Sequence, residues 1–162
     1  MALGSTSLTV GAAVSILVSG WAAGVGTGLS LLGTPSILHA GAPSEVMVRQ
    51  WKFQFLRGRA MMPALGALNA VNFWAVAYGC WSRGLEWRGF AVAGLSTCFS
   101  IPYTLAFMMG VNNKLLAAAE GRDKMLSDDS ARGLIRQWGD LNITRAVFLI
   151  LGTGLALWNF CL

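Results

Sequence analysis

The chain has 162 residues, of which 55% are hydrophobic and only 12% are charged, and its formal net charge is +5. So few charged residues cannot cover a water-facing surface, which is typically about a quarter charged, and the composition therefore excludes an ordinary soluble enzyme. The Lys and Arg residues lie between long uncharged runs and form no stripe. This arrangement argues against a nucleic-acid partner and favours charges that flank membrane spans.

The metal-ligating and redox residue types are sparse. The three cysteines form no CxxC pair, and the chain has one histidine, His39. This inventory excludes a zinc site, an iron–sulfur cluster and a bis-histidine haem within one chain. Gly24-x-Gly26 lies within an apolar run and not after a strand, so the sequence predicts no nucleotide cofactor site and no metal.

Four uncharged runs predict the membrane spans, at about residues 8–32, 60–82, 89–113 and 146–162. Each has the 17 to 25 residues, roughly, that a helix needs to cross a bilayer. Unpaired backbone amides are costly in lipid, so spans of this length should be helices. The predicted fold class is all-α, an integral membrane four-helix bundle with short cytoplasmic helical extensions. Residues 1–162 then form a single transmembrane domain.

The basic residues predict the orientation of the bundle. Ten of the twelve Lys and Arg residues lie from residue 33 to 59 or from 114 to 145, whereas Arg83 and Arg88 lie in the short second connection. The positive-inside rule places the two long connections in the cytoplasm and both termini on the other side. We expect a multi-pass protein surrounded by membrane lipid, in the endoplasmic reticulum or another internal membrane.

Gly20, Gly24 and Gly28 recur at intervals of four residues in the first predicted span. This spacing places the three glycines on one helix face, where another backbone can approach closely. Such a face serves either packing within the bundle or the seam of a homo-oligomer. Both interpretations remain open at this point.

A polar stripe marks the cytoplasmic start of the fourth span. Trp138, Asn142 and Arg145 are spaced i, i+4, i+7 and therefore share one helix face. Tryptophan and arginine often serve as interfacial anchors, but an anchor does not need an asparagine between them. We therefore expect a site at the cytoplasmic mouth, to which other segments contribute His39, Trp51, Arg57, Asn112 and Asn113.

Several short segments resemble the fungal anthrone oxygenases, which are small four-span membrane proteins. They are Ser30 to Leu38, Gln50-Trp51 followed by Arg57-Gly58-Arg59, Asn112 to Leu115, and Trp138 with Asn142 and Arg145. The resemblance implies a cofactor-free monooxygenase that oxidises an aromatic polyketide anthrone to an anthraquinone in secondary metabolite biosynthesis, with O₂ as co-substrate. The alternative is a non-catalytic membrane scaffold that recruits enzymes of a polyketide pathway.

An anthrone has an acidic CH₂ group, so the enzyme must accept a proton and stabilise an anion. We predict that His39 is the general base and that Asn142, Asn113 and Arg145 stabilise the oxyanion. Trp51 and Trp138 are predicted to stack on the flat ring system. Substrate binding is assigned to Trp51, Arg57, Asn112, Asn113 and Trp138, and no metal ligand is predicted.

Overall fold

A computed structural model describes residues 3–39, 41–122 and 126–161. Within these ranges the chain forms four long helices and no strand, which confirms the all-α prediction. The helices are α1 (Thr6–His39), α2 (Ser44–Trp81), α3 (Arg88–Ala119) and α4 (Asp128–Cys161), and each is long and apolar enough to cross a membrane. The chain is therefore a multi-pass membrane protein built as a four-helix bundle.

Two helices begin well before the predicted spans. Helix α2 starts at Ser44 and α4 starts at Asp128, so most of each long connection is helical. A helix is held by backbone hydrogen bonds, so it can continue through sequence that is not apolar. Local charges stabilise the helical segments of α2 and α4 that lie outside the predicted spans. Glu45 pairs with Arg49 one turn later at 2.6 Å, and acidic Asp128 and Asp129 occupy the first turn of α4. The extensions are longer than the short ones predicted.

The end of the bundle that carries the α1–α2 and α3–α4 connections is called the basic end here. Two polar contacts hold its helices together: the Ser44 backbone N–H donates to the Asp128 carboxylate at 2.7 Å, and Lys52 pairs with Glu120 at 3.2 Å. Hydrogen bonds from Arg122 and then from Lys52 lower the pKa of Glu120 from its ordinary value. Helices from separate parts of the sequence therefore meet at this end.

Two of the helices contain a π-helical segment, Leu29–Gly33 in α1 and Thr104–Met108 in α3. In the first, the Thr34 hydroxyl donates to the Leu29 carbonyl, five residues earlier, at 3.1 Å. Such segments are frequent at functional sites because they release backbone groups and redirect side chains. Neither segment was predicted from the sequence.

Helix α1 packs through a stripe of small residues next to the predicted glycine face. Between Thr6 and Gly28 its buried residues are Ala12, Ser15, Ser19 and Ala23. Gly20, Gly24 and Gly28 instead line an open apolar groove of about 720 Å³ between α1 and α4. A Cβ at Gly24 or Gly28 would meet nothing within 4 Å. Packing within the bundle therefore does not depend on this face, and its use by a second copy stays a prediction.

Polar side chains inside the bundle also join its helices. Asn72 Nδ2 on α2 donates to Ser15 Oγ at 2.7 Å and to the Gly11 carbonyl at 3.1 Å, and Asn69 Nδ2 donates to the Ser15 carbonyl at 3.2 Å. In lipid such hydrogen bonds typically contribute about 0.6 to 2 kcal/mol each. These two asparagines hold α1 against α2.

Gly152 permits the close approach of α4 to α3. A Cβ at this position would lie 2.8 Å from Ser96 Cβ and 3.3 Å from the Ala93 Cα. Because a shift of backbone is needed, Gly152→Ala should lower the free energy of unfolding by about 1 to 3 kcal/mol. Gly154→Ala is the matched control, since its Cβ meets nothing within 4 Å. Thermal unfolding in detergent should separate the two variants, and equal midpoints would contradict this packing.

Candidate active site

Asn142 is the centre of a hydrogen-bond network between α4 and α1. The residue is fully buried, and its Nδ2 donates to the Gly26 carbonyl at 2.8 Å and to Ser30 Oγ at 2.9 Å. Its Oδ1 accepts a hydrogen bond from Arg145 Nη2 at 2.6 Å. Both sides of the amide are therefore engaged. Asn142 fixes the position of Arg145 relative to α1.

Arg145 extends this network to α3. Its Nη1 donates to Thr104 Oγ1 at 3.3 Å, and the Thr104 hydroxyl donates in turn to the Ser100 carbonyl at 2.7 Å. The partners of the guanidinium are neutral, and no carboxylate in the described part of the chain forms an ion pair with it. Arg145 is half-buried. A cation without a counter-ion inside a membrane bundle is costly, and its remaining N–H groups favour an anionic ligand.

The indole rings of Trp51 and Trp138 meet in the apolar core of the basic end. The Trp51 ring lies edge-on to Trp138, with 5.9 Å between ring centroids, and stacks on Phe55 with 4.8 Å between centroids. Trp51 is 0% exposed and Trp138 is 3% exposed. Because Phe55 covers one face of the Trp51 ring, that face is not available to stack on a flat substrate.

Four buried polar atoms near this core have no hydrogen-bond partner among the described residues. They are Trp51 Nε1, Trp138 Nε1, Gln54 Oε1 and Asn112 Oδ1. Each such atom typically costs about 1 to 3 kcal/mol when left unsatisfied, so these four atoms are candidates to bind the polar groups of a ligand or water. Gln54 was not among the residues predicted from the sequence. Its position three residues after Trp51, on the same helix face, is the signal that could have indicated it.

A family model described as anthrone oxygenase matches residues 51–155, which begin at Trp51 and include Asn142 and Arg145. The chain belongs to the anthrone oxygenase family. The resemblance read from its motifs is therefore confirmed, and the match covers α3 completely together with most of α2 and α4. Ser30 and His39 lie before the matched range.

Individual relatives agree with this family. A monooxygenase, hypC, of Dothistroma septosporum is 32% identical over 150 residues, which cover 91% of this chain and 81% of that protein. The noranthrone monooxygenase of Aspergillus flavus is 26% identical, over 91% of this chain and 72% of that protein. An anthrone oxygenase, ptaC, of Pestalotiopsis fici is 29% identical, over 80% of this chain and 96% of that protein. No solved structure matches the chain.

The structure brings part of the predicted site of this family member together. Trp51 contacts Trp138, and Asn142 contacts Arg145. The residue of α3 that bonds to Arg145 is Thr104, which was not among the predicted site residues. Asn112 is 4% exposed and lies on the face of α3 that carries Met108 and Leu115, two members of the tryptophan core.

Three predicted residues lie outside this assembly. Asn113 is exposed, Arg57 is exposed with its guanidinium 4.7 Å from the centroid of the Phe53 ring, and His39 is exposed at the end of α1. His39 follows Ser30 by nine residues, which is roughly 13 Å along a helix axis. The Arg132 guanidinium donates to the Leu38 carbonyl at 3.0 Å and so holds this end of α1 against α4.

The described residues contain no group of three or more His, Cys, Asp or Glu side chains that could hold a metal ion. The polar groups of the site are a guanidinium, amides, hydroxyls and indole N–H groups. Such groups bind and orient oxygen-bearing aromatic molecules and stabilise negative charge on them.

Proposed function

We propose that the chain oxidises an anthrone to the corresponding anthraquinone with O₂ as the only co-substrate. The observation that supports this most is the half-buried guanidinium of Arg145, which has neutral hydrogen-bond partners between α3 and α4 and can therefore receive an anion. Relatives named anthrone oxygenase and noranthrone monooxygenase support the same reaction class. A non-catalytic scaffold would have no need of such a site and is not favoured.

The chemistry requires the removal of a proton before oxygen reacts. Loss of one C–H proton from the CH₂ group gives an anion whose charge spreads to the carbonyl oxygen. This anion transfers one electron to O₂, and the resulting radical pair forms a C–O bond, which after protonation is a hydroperoxide. Cleavage of the O–O bond with loss of the second C–H proton releases water and leaves the new carbonyl. One atom of O₂ enters the product and the other forms water.

Arg145 is proposed to hold the oxygen anion that forms after the first proton transfer. The predicted direct role of Asn142 changes, because its amide already donates to Gly26 and Ser30. Asn142 is proposed as a positioning residue that keeps the guanidinium directed toward the substrate. The apolar surroundings strengthen this interaction, since water does not screen the charges.

His39 is proposed as the proton acceptor. Histidine is the side chain best suited to proton transfer near neutral pH, and His39 is the single histidine of the chain. The CH₂ group and the carbonyl of an anthrone lie on opposite sides of its central ring. A base and an anion site must therefore lie on opposite sides of the substrate, and the substrate is proposed to bind between His39 and Arg145.

The substrate ring system is proposed to bind beside Trp138 and Trp51, with Asn112 as a polar contact. Because Trp51 already stacks on Phe55, the indole rings are assigned as N–H donors and edge contacts, and not as a stacking clamp. Arg57 and Asn113, which are exposed, are proposed for the entrance to the site.

Oxygen-isotope labelling tests the reaction. Purified protein, supplied with an anthrone and ¹⁸O₂ without added flavin or metal, should yield anthraquinone with one labelled oxygen. Anthrones also oxidise slowly without protein, so a heat-denatured sample provides the background. Label that comes from water alone, or a strict requirement for added flavin or metal, would reject the cofactor-free reaction and favour the scaffold.

We place the basic end in the cytoplasm, with both termini on the lumenal side of the endoplasmic reticulum or another internal membrane. The support is the excess of Lys and Arg at that end. A cysteine introduced at Ser127 should react with a membrane-impermeant reagent from the cytoplasmic side, and one at Ser5 should not. The reverse labelling pattern would invert the orientation.

A further inference from the structure

Gln54 belongs to a second polar set at the basic end, apart from the charged network of Arg145. The set contains the four buried atoms without partners: the indole Nε1 atoms of Trp51 and Trp138, Gln54 Oε1 and Asn112 Oδ1. Two of these groups donate hydrogen bonds and two accept them. All four groups are uncharged. Groups of this kind match a neutral molecule that carries both hydroxyl and carbonyl oxygens.

The absence of a side chain at Gly33 leaves space for the side chain of Gln54. That side chain lies against Gly33, at the end of the π-helical segment of α1, where a Cβ would be 3.1 Å from Gln54 Oε1. Gln54 and Trp51 are one turn apart on α2, and Trp51 contacts Trp138 on α4. The acceptor oxygen therefore lies on the side of α2 that faces α1, one helical turn from Trp51, where the substrate is proposed to bind.

We propose that Gln54 is a specificity-determining residue that accepts a hydrogen bond from a hydroxyl group on the substrate ring. An amide oxygen can only accept, so its partner must be a donor. In an aromatic ketone made of carbon, hydrogen and oxygen, the hydroxyl group is the only hydrogen-bond donor. This assignment rests on the proposed function, and it adds recognition of ring substituents to the anion site at Arg145.

Binding of ligands that the proposed reaction does not oxidise further tests the assignment without turnover. Affinities of the detergent-solubilised protein are measured for anthraquinone and for its 1-hydroxy and 2-hydroxy derivatives. The unaltered protein should bind at least one hydroxylated ligand about tenfold more tightly than the parent compound. Gln54→Leu should abolish that difference and leave the affinity for the parent compound unchanged. Gln137→Leu, at an exposed glutamine on α4, should keep the difference.

Gly33→Ala provides a second variant that retains the amide but displaces it. Its Cβ would meet Gln54 Oε1, so it should reduce the same preference, whereas a Cβ at Gly110 meets nothing within 4 Å and Gly110→Ala should not. An equal loss of affinity for all ligands in Gln54→Leu would show a structural role and overturn the proposal. The proposal would also be overturned if Gln54→Leu kept the preference for a hydroxylated ligand, or if the unaltered protein showed no such preference. Because binding is measured separately, failure of the isotope test would reject the oxidation and not this assignment.

Discussion

Arg145→Leu is expected to lower kcat for anthrone oxidation by about 10²- to 10³-fold. The guanidinium is proposed to stabilise charge that develops only after proton removal, and loss of one such donor typically has this effect. KM should change much less than kcat, because the neutral substrate binds mainly through apolar and hydrogen-bonding contacts. Initial rates of quinone formation, corrected for the oxidation that occurs without protein, provide the measurement.

Stability separates this role from a structural one. Arg145 is half-buried and has neutral partners in the described part of the chain, so its removal relieves a partly desolvated charge but leaves Asn142 Oδ1 without its donor. The thermal midpoint of Arg145→Leu should therefore fall little. Arg136→Leu, at an exposed position on the same helix, should keep full activity. A large loss of stability that parallels the loss of activity would contradict anion binding as the main role.

His39→Ala is expected to lower kcat by about 10²-fold, with little change in substrate affinity. A positioned general base commonly contributes this much, and it acts only while the proton moves. Because no other histidine is present, a pH dependence of kcat caused by an imidazole should disappear in this variant. The measurement is the rate as a function of pH for both proteins, with the uncatalysed rate subtracted at each pH.

His39 is exposed, so water or a small base from the solvent can reach the same position. Partial recovery of the rate of His39→Ala by added imidazole would support proton transfer at this position, because a small base could enter from the solvent. Unchanged kcat and an unchanged pH profile would assign proton removal to water, with the anion site at Arg145 as the source of the acceleration. That result would leave the oxidation and the role of Arg145 intact.

Four spans, the all-α class and the family could be predicted from the sequence, because these follow from local properties. A run of apolar residues long enough to cross the bilayer can be counted in the sequence. Its backbone groups cannot bond to water in lipid, so the run must form a helix. The helical period placed Trp138, Asn142 and Arg145 on one face, and the structure shows the Asn142–Arg145 hydrogen bond. The lengths of α2 and α4 were underestimated, because charge indicates the edge of a membrane and does not end a helix.

Which polar and small residues contact a neighbouring helix depended on how the helices pack against one another. Asn112 and Asn113 are adjacent in the sequence and about 100° apart on a helix, and only the rotation of α3 within the bundle buries the first and exposes the second. For the same reason α1 packs through Ser15 and Ser19 while the neighbouring stripe of Gly20 faces a groove. Both stripes are small enough for close packing, so the sequence contains no local signal that distinguishes them.

Gln54 and Thr104 show the same limit within the site. Each is one polar residue in a largely apolar helix, and its immediate sequence does not predict which residue of another helix it contacts. The bundle places Gln54 against Gly33 of α1 and Thr104 against Arg145 of α4. The sequence by itself determined which residues are costly to bury in lipid. Only the tertiary structure decided which of them satisfy one another and which remain available to a ligand, because hydrogen bonding depends on distances between helices that are remote in the chain.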